Sequence, residues 1–335
     1  MKNLLLCCDW GTTSFRLRLV NIQDQEVVGE ILSLDGIAST FNSWKAIEDT
    51  VLDKQTFFTN HLQKQISLLA SQLHMKLDGT VVIISGMASS SIGLFEVPYA
   101  NLPFDLDGSL VNVHRFESTA DCPHDILLIS GICSEDDVMR GEETQMIGLV
   151  ELLKLSGKDS ILIFPGTHSK HLYIKGNKLV DFQTYMTGEV FKIVSAHSIL
   201  KDSIEISVLP EYSLEEKNAF RLGVQSTDST GVLKGLFRVR TNQLFNKLTK
   251  KENACYLSGL LIGSEIKHLL DENGIQLVLC SGNNLSELYK LAIEELDLSE
   301  RTITVSSDIV DKATIAGQVK IYQNQTLTLI DKTYE

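Results

Sequence analysis

The sequence lacks the signatures by which most nucleotide and metal proteins announce themselves. It contains no G-x-x-x-x-G-K-[ST] and no G-x-G-x-x-G, so neither a P-loop nor a Rossmann-type site is encoded. Its six cysteines include no C-x-x-C pair and no metal-ligand spacing, and they read as reduced core residues. His168 and His171 have no third donor in register, which argues against zinc. Positive charge is scarce: 30 Lys and Arg against 43 Asp and Glu give a formal net charge of −13, a poor match to nucleic acid as a main partner. No uncharged apolar run reaches the length of a membrane span, and the first residues read as a strand rather than a signal peptide. A cytoplasmic protein without membrane partners is therefore expected.

What the chain does have is size and a repeat. With 335 residues, 43% of them apolar, it can bury a large core, and the usual domain size predicts two lobes and hence a cleft. The stretch "NLLLCCDWGTTSFRLRLVNIQDQEVVGEILSL" (3–34) alternates as strand, small-residue turn, strand, polar turn, strand. The same order returns about 150 residues later in "SILIFPGTHSKHLYIKGNKLVDFQ" (160–183). Helical spacing covers 44–73, 188–201, 215–226, 241–249 and 253–274, with a last helix from about Asp311; "TVVIISGM" and "DILLISGI" read as buried strands. The two halves divide near 152–160, giving lobes of 1–155 and 156–335.

A tight turn of small residues between two strands gathers backbone N–H groups at one point, and such a concavity suits phosphate oxygens. Gly11, Thr12, Thr13 and Ser14 form the first such turn; Gly166, Thr167, His168, Ser169 and Lys170 stand in the equivalent place in the second. Asp9, at the end of the first strand, would repel a bare phosphate and makes sense as a partner for Mg²⁺ or its waters. Arg16, two residues past the turn, is placed to stabilise charge on a transferring phosphoryl group. The plainer alternative for each turn is an ordinary hairpin with satisfied Asp and Thr side chains. Two of them point instead to one nucleotide held from both sides.

This duplicated arrangement resembles the actin, heat-shock chaperone and sugar-kinase superfamily. The resemblance implies an α/β fold of two ribonuclease-H-like (actin-like ATPase) lobes, with mixed sheets flanked by helices, closing over ATP in a central cleft. In order along the chain, "DWGTTSFR", "GMASSSIGLFEVPYANLP", "DVMRGEETQMIG", "PGTHSKH", "YMTGEVF", "LFRVRT" and "YLSGLLIGSE" are similar to the 2-dehydro-3-deoxygalactonokinase family. That family resemblance implies ATP and Mg²⁺ as cofactors and a six-carbon 2-oxo-3-deoxy aldonate as acceptor, phosphorylated on its terminal hydroxyl. "CSGNNLSELYKLAIEEL" then fits the adenosine loop, Ser281, Gly282, Asn283 and Asn284, and its helix. Related carbohydrate kinases place the catalytic base in a Gly-Asp at a helix start, and Gly141-Glu142 occupies that place here, with Glu143 and Asp137 as alternatives. The plainer reading of Glu142 is an acid that stabilises a helix dipole. The acceptor pocket is expected after a buried strand, at Ser85, Gly86, Met87 and Ser89, with Glu96 and Tyr99 on the sugar hydroxyls and Arg140 on the carboxylate; Glu143 is counted with them. Other sugar acids, a phosphatase on the same fold and a filament-forming ATPase are the competing functions. A homodimer is compatible with the sequence.

Overall fold

The computed structural model describes residues 3–47, 52–155, 157–206 and 211–331; the side chains of 228–230, 283–284 and 328–331 are outside the description. The chain divides into two compact α/β units, one of Met1–Lys158, Lys175–Asp181 and Asp308–Glu335, the other of Asp159–Ile174 and Phe182–Ser307.

In the first unit, β1 (Leu4–Trp10), β2 (Phe15–Asn21) and β3 (Val27–Ser33) form an antiparallel meander, followed by α1 (Ile37–Lys45) and α2 (Lys54–Leu73). Three short strands, β4 (Val82–Gly86), β5 (Ala100–Asn101) and β6 (Phe104–Asp105), lead to β7 (Val113–Phe116) and β8 (Ile126–Ile129). The unit continues with β9 (Ile132–Cys133), β10 (Val138–Met139) and α3 (Glu142–Leu153). The main sheet runs β3-β2-β1-β4-β8-β7, with β1, β4 and β8 parallel at its centre. Central parallel strands are covered on both faces, which is why β4 and β8 read as unbroken apolar runs. The sequence predicts one helical stretch over 44–73, whereas Asp53 caps a new helix by accepting the Thr56 N–H at 3.0 Å, and α2 starts there. Trp10, Phe15, Phe58 and Leu69 sit at the centre of this unit's core.

The second unit repeats the plan. β11 (Ser160–Phe164), β12 (Ser169–Lys175) and β13 (Lys178–Tyr185) make the meander, with 175–181 counting toward the first unit; α4 (Thr187–His197) follows, and then α5 (Leu214–Leu244) and α6 (Lys250–Ile266) pair. β14 (Gln276–Cys280), α7 (Asn283–Glu295) and β15 (Thr302–Val305) complete it. Its strands run β15-β14-β11-β12-β13, with β11, β14 and β15 parallel, the counterpart of β8-β4-β1-β2-β3. The predicted helices at 215–226 and 241–249 fall partly in α5, which is two helical stretches meeting at a non-helical Gly231 (φ 65°); helix also fills most of 227–240 and ends at Leu244. Its glycines and β-branched residues masked the helical period.

The last helix, α8 (Ser307–Asp331), belongs with the first unit except for its first residue. It begins earlier than the sequence suggests and crosses α3 at backbone contact. A Cβ on Gly317 would lie 1.9 Å from the Thr144 carbonyl oxygen, and one on Gly148 would lie 1.8 Å from that of Ala313. That approach lets Gln318 donate from Nε2 to the Cys8 carbonyl at 2.7 Å and to Ser85 Oγ at 2.9 Å, fastening the ends of β1 and β4. Gly317→Ala gains up to about 1 kcal/mol of helix propensity but must push two backbones apart, at about 1–3 kcal/mol or more. The clash wins, and urea denaturation should show a net loss of stability.

Candidate functional site

In the first unit the site grows from the carboxyl ends of β1 and β4. Asp9 pairs in register with Arg16 across the hairpin, and Arg16 donates from a guanidinium nitrogen to Asp9 Oδ2 at 3.0 Å. Burial pushes the Asp9 carboxyl up and Arg16, with Arg18 behind it, pulls it back. A carboxylate that is desolvated even with an arginine beside it gains from a further cation.

The turn itself is closed by the Gly11 N–H donating to the Ser14 carbonyl at 2.9 Å, and it is held from below by α1. Ile37 and Ala38 N–H donate to the Gly11 and Thr12 carbonyls at 2.9 and 3.1 Å. Gly36 permits this, since a Cβ there would lie 2.4 Å from the Thr12 oxygen. Thr12 and Thr13 are left exposed at the tip and Ser14 half-buried.

Gly86 (φ 89°) packs so tightly that a Cβ would be 2.9 Å from the Trp10 oxygen and 3.4 Å from Asp9 Oδ1. Gly141 (φ 111°) faces it, its own Cβ position 3.5 Å from Gly86 Cα. The start of α3 is thereby brought beside the Asp9 strand end. Glu142 is half-buried there. Glu143 is wholly buried: its carboxylate accepts the Gly141 N–H at 2.6 Å and the Thr144 hydroxyl at 2.9 Å.

Around them Arg140 is locked. It donates to Ser89 Oγ at 2.8 Å and to the Val97 carbonyl at 3.2 Å, and lies 3.9 Å over the Tyr99 ring, while its Nε is buried with no hydrogen-bond partner among the described residues. Glu96 is exposed and Met87 half-buried on the same loop. Two expected substrate contacts have other work: Ser85 is buried against Gln318, and Ser89 is buried as an acceptor for Arg140. Lys54, the first residue of α2, donates to the Ser91 carbonyl at 2.7 Å and feels the charge of Glu96. No spacing in the sequence ties Lys54 to that loop; it is reached only through the fold.

The second unit presents a matching turn. Glu189 N–H, at the start of α4, donates to the Thr167 carbonyl at 3.0 Å, and Gly188 makes the close approach, its Cβ position 2.6 Å from the Gly166 oxygen. Thr167 and His168 are exposed, and His168 Nε2 pairs with Glu189 at 2.5 Å. Ser169 and Lys170 are buried, because β12 has already begun and both of its faces are covered at this end. Ser281 is buried with its hydroxyl on the Gly282 carbonyl, and Gly282 is exposed ahead of α7. The side chains of Asn283 and Asn284 lie outside the described residues.

Beside this turn the second unit holds a cavity of about 180 Å³ lined by Gly166, Thr187, Phe191, Tyr212, Leu261, Leu288 and Tyr289 among others. Sequence reasoning pointed to the loop before α7 and missed these α6 and α7 side chains, whose apolar spacing is that of any core helix. A larger cavity in the first unit, about 440 Å³ and lined by residues such as Gln55, Asn60 and Arg115, contains none of the expected site residues. Among the described residues no cluster of three His, Cys, Asp or Glu could hold a metal ion by itself, and no helix is long and apolar enough to cross a membrane.

Comparison with known proteins narrows what such a pair of sites belongs to. The model of the 2-keto-3-deoxy-galactonokinase family matches residues 9–321. A Rhizobium meliloti protein named as a probable 2-dehydro-3-deoxygalactonokinase is 30% identical over 319 residues, 92% of this chain and 93% of its own. The Escherichia coli 2-dehydro-3-deoxygalactonokinase is 31% identical over 226 residues, 65% of this chain and 71% of its own. A Sinorhizobium meliloti crystal structure, described as a candidate 2-dehydro-3-deoxygalactonokinase, superposes with a TM-score of 0.76 at 26% identity, covering 94% of this chain and 98% of its own. The likeness to (R)-2-hydroxyglutaryl-CoA dehydratase component A from Acidaminococcus fermentans, TM-score 0.50 and 14% identity over 96% and 99% of the two chains, is one of fold alone. Matched over nearly its whole length, the chain belongs to the 2-keto-3-deoxy-galactonokinase family, and it is a sugar kinase.

Proposed function

We propose that the chain transfers the terminal phosphoryl group of ATP to the 6-hydroxyl of 2-dehydro-3-deoxy-galactonate. The observation that carries this reading is the meeting of Asp9, Gly86 and the Gly141–Glu142 helix start at one strand end of the first unit. A phosphate-binding turn and a carboxylate are thus side by side on a rigid sheet.

In this reading the acceptor sugar acid lies against the Ser89–Tyr99 loop, with Arg140 or Lys54 facing its carboxylate. Arg140 is pre-oriented by Ser89 and the Tyr99 ring, so little rotamer entropy is lost on binding. Glu142 takes the proton of the attacking hydroxyl as the new O–P bond forms and the bond to the leaving ADP oxygen breaks. Arg16 stabilises charge on the group in transit. Each turn by itself, Thr12–Thr13 in the first unit and Thr167–His168 in the second, offers an exposed tip suited to phosphate oxygens. The apolar cavity between Phe191, Leu288 and Tyr212 in the second unit suits the faces of the adenine base.

Mg²⁺ fits the donor set as an ion arriving with the nucleotide, since one or two carboxylates plus phosphates and waters is how proteins usually hold it. Asp9 would hold it, and bound there it would neutralise negative charge on the phosphate chain.

Glu142 rather than Glu143 is the base because both Glu143 oxygens are spent on Gly141 and Thr144. Glu142→Gln is expected to lower kcat by about 10²–10⁴ with both substrates still bound; an unchanged kcat would reduce Glu142 to a helix-dipole residue.

Glu143 has a different signature. Burial, reinforced by the charge of Glu142, pushes its carboxyl up to about 7. The folded chain therefore keeps a proton between the ordinary carboxylate range and pH 7 that the unfolded chain has released, so this contribution falls as pH rises through that window. Glu143→Gln should remove a slope on the order of 3 kcal/mol across it, measured as urea midpoints at pH 5 and pH 8. Equal pH dependence in both proteins would contradict the assignment.

Asp9→Asn is expected to abolish most Mg²⁺-dependent turnover while leaving the fold intact, and phosphate transfer should require the sugar acid. ATP consumption that ignores added sugar acid would favour a phosphatase or filament ATPase instead.

A further inference from the structure

The face of β12 turned toward the helices of the second unit should be apolar, yet its alternation places Ser169, His171 and Tyr173 there. Ser169 and His171 are wholly buried, as are Glu265 on α6 and Tyr289 on α7. Buried polar groups of this kind cost free energy unless they are paired, so their partners are informative.

The pairing has one direction. Tyr289 donates its hydroxyl to Glu265 Oε2 at 2.7 Å, and must therefore accept from Ser169 Oγ, 3.0 Å away. Ser169 Oγ in turn accepts the Gly166 N–H at 3.3 Å. Thr187, at the first turn of α4, also donates to Glu265 Oε2, and His171 Nε2 lies 3.1 Å from Oε1. His268, one turn further along, donates from Nδ1 to the Glu265 carbonyl at 2.8 Å and accepts from Tyr173 at Nε2, 3.0 Å away, which closes the lower side. One carboxylate thus terminates a chain that begins at the backbone of the second phosphate turn, and its other donors include Thr187, which lines the cavity with Gly166 and Tyr289.

We propose that Glu265 is a positioning residue for the nucleotide: through Tyr289, Ser169 and Thr187 it holds the Gly166 turn and the wall of the adjoining cavity in a single arrangement. The inference rests on the reading of this unit as the nucleotide site. It also gives Ser169 a role different from direct phosphate contact, because its hydroxyl proton is directed into the core. A carboxylate offers an acceptor on both sides, Oε2 to Tyr289 and Thr187 and Oε1 to His171, whereas Gln at the same place offers one acceptor oxygen and an N–H on the other side.

The test is ATP affinity by titration calorimetry, with KM for the sugar acid and melting temperature measured alongside. Glu265→Gln should raise Kd for ATP roughly tenfold or more, and Tyr289→Phe and Ser169→Ala each roughly 3- to 10-fold, the size of one lost hydrogen bond. KM for the sugar acid should stay within about twofold. The double variant E265Q/Y289F should be no weaker for ATP than E265Q alone, since both cut the same chain. If Glu265→Gln does not fold, Tyr289→Phe and Ser169→Ala decide the matter, as each removes one hydroxyl and leaves Glu265 with Thr187 and His171. Unchanged ATP affinity in these two, with only a lower melting temperature, overturns the proposal. Wild-type protein that binds no ATP overturns the nucleotide reading itself, and the proposal with it.

Discussion

Two carbonyl groups, those of Thr12 and Thr167, are each taken up by a backbone N–H at the start of a following helix, and the shape of both turns depends on that capture. A turn of small residues is floppy by itself. Tied to the N-terminus of α1 or α4 it is held in place against the positive end of a helix dipole. Each capture requires a backbone approach that only glycine allows, at Gly36 and at Gly188. The same constraint recurs one level out, where Gly86 and Gly141 let the start of α3 reach the end of β1, and Gly148 and Gly317 let α8 reach α3.

The architecture was readable in the sequence to the extent that it repeats. Asp9-x-Gly-Thr-Thr and Pro165-Gly-Thr-His advertise their turns because period-2 alternation surrounds them, and the two meanders, the central strands and the α/β class all appear in the structure. The helical stretch around 227–240 was not readable, because Gly231, where the helix breaks, and Gly235 interrupt its period. Nor was the break before α2, which depends on a single capping carboxylate, Asp53.

The site was legible as a set of loops and less so as a set of contacts. Loop chemistry picks out the turns Gly11–Ser14 and Gly166–His168 as turns, but burial decides which of their hydroxyls face outward. Ser85, Ser89 and Ser169 look like free donors in the sequence, and each is buried within a hydrogen bond of another side chain. Conversely Lys54, Gln318 and Glu265 carry no local signal. Each acts on residues dozens to hundreds of positions away, and one-dimensional spacing records no such distance.

The division of the chain also orders its biosynthesis. The second unit is complete once residue 307 has been made, apart from the short return of 175–181 to the first. The first unit, made first, still lacks Gln318, whose amide binds the Cys8 carbonyl and Ser85. On a ribosome that releases the chain from its N-terminus, the earlier-made half must wait for the last helix while the later-made half can already close. A nascent chain arrested before α8 would carry a finished second unit beside a first unit whose strand ends are unfastened.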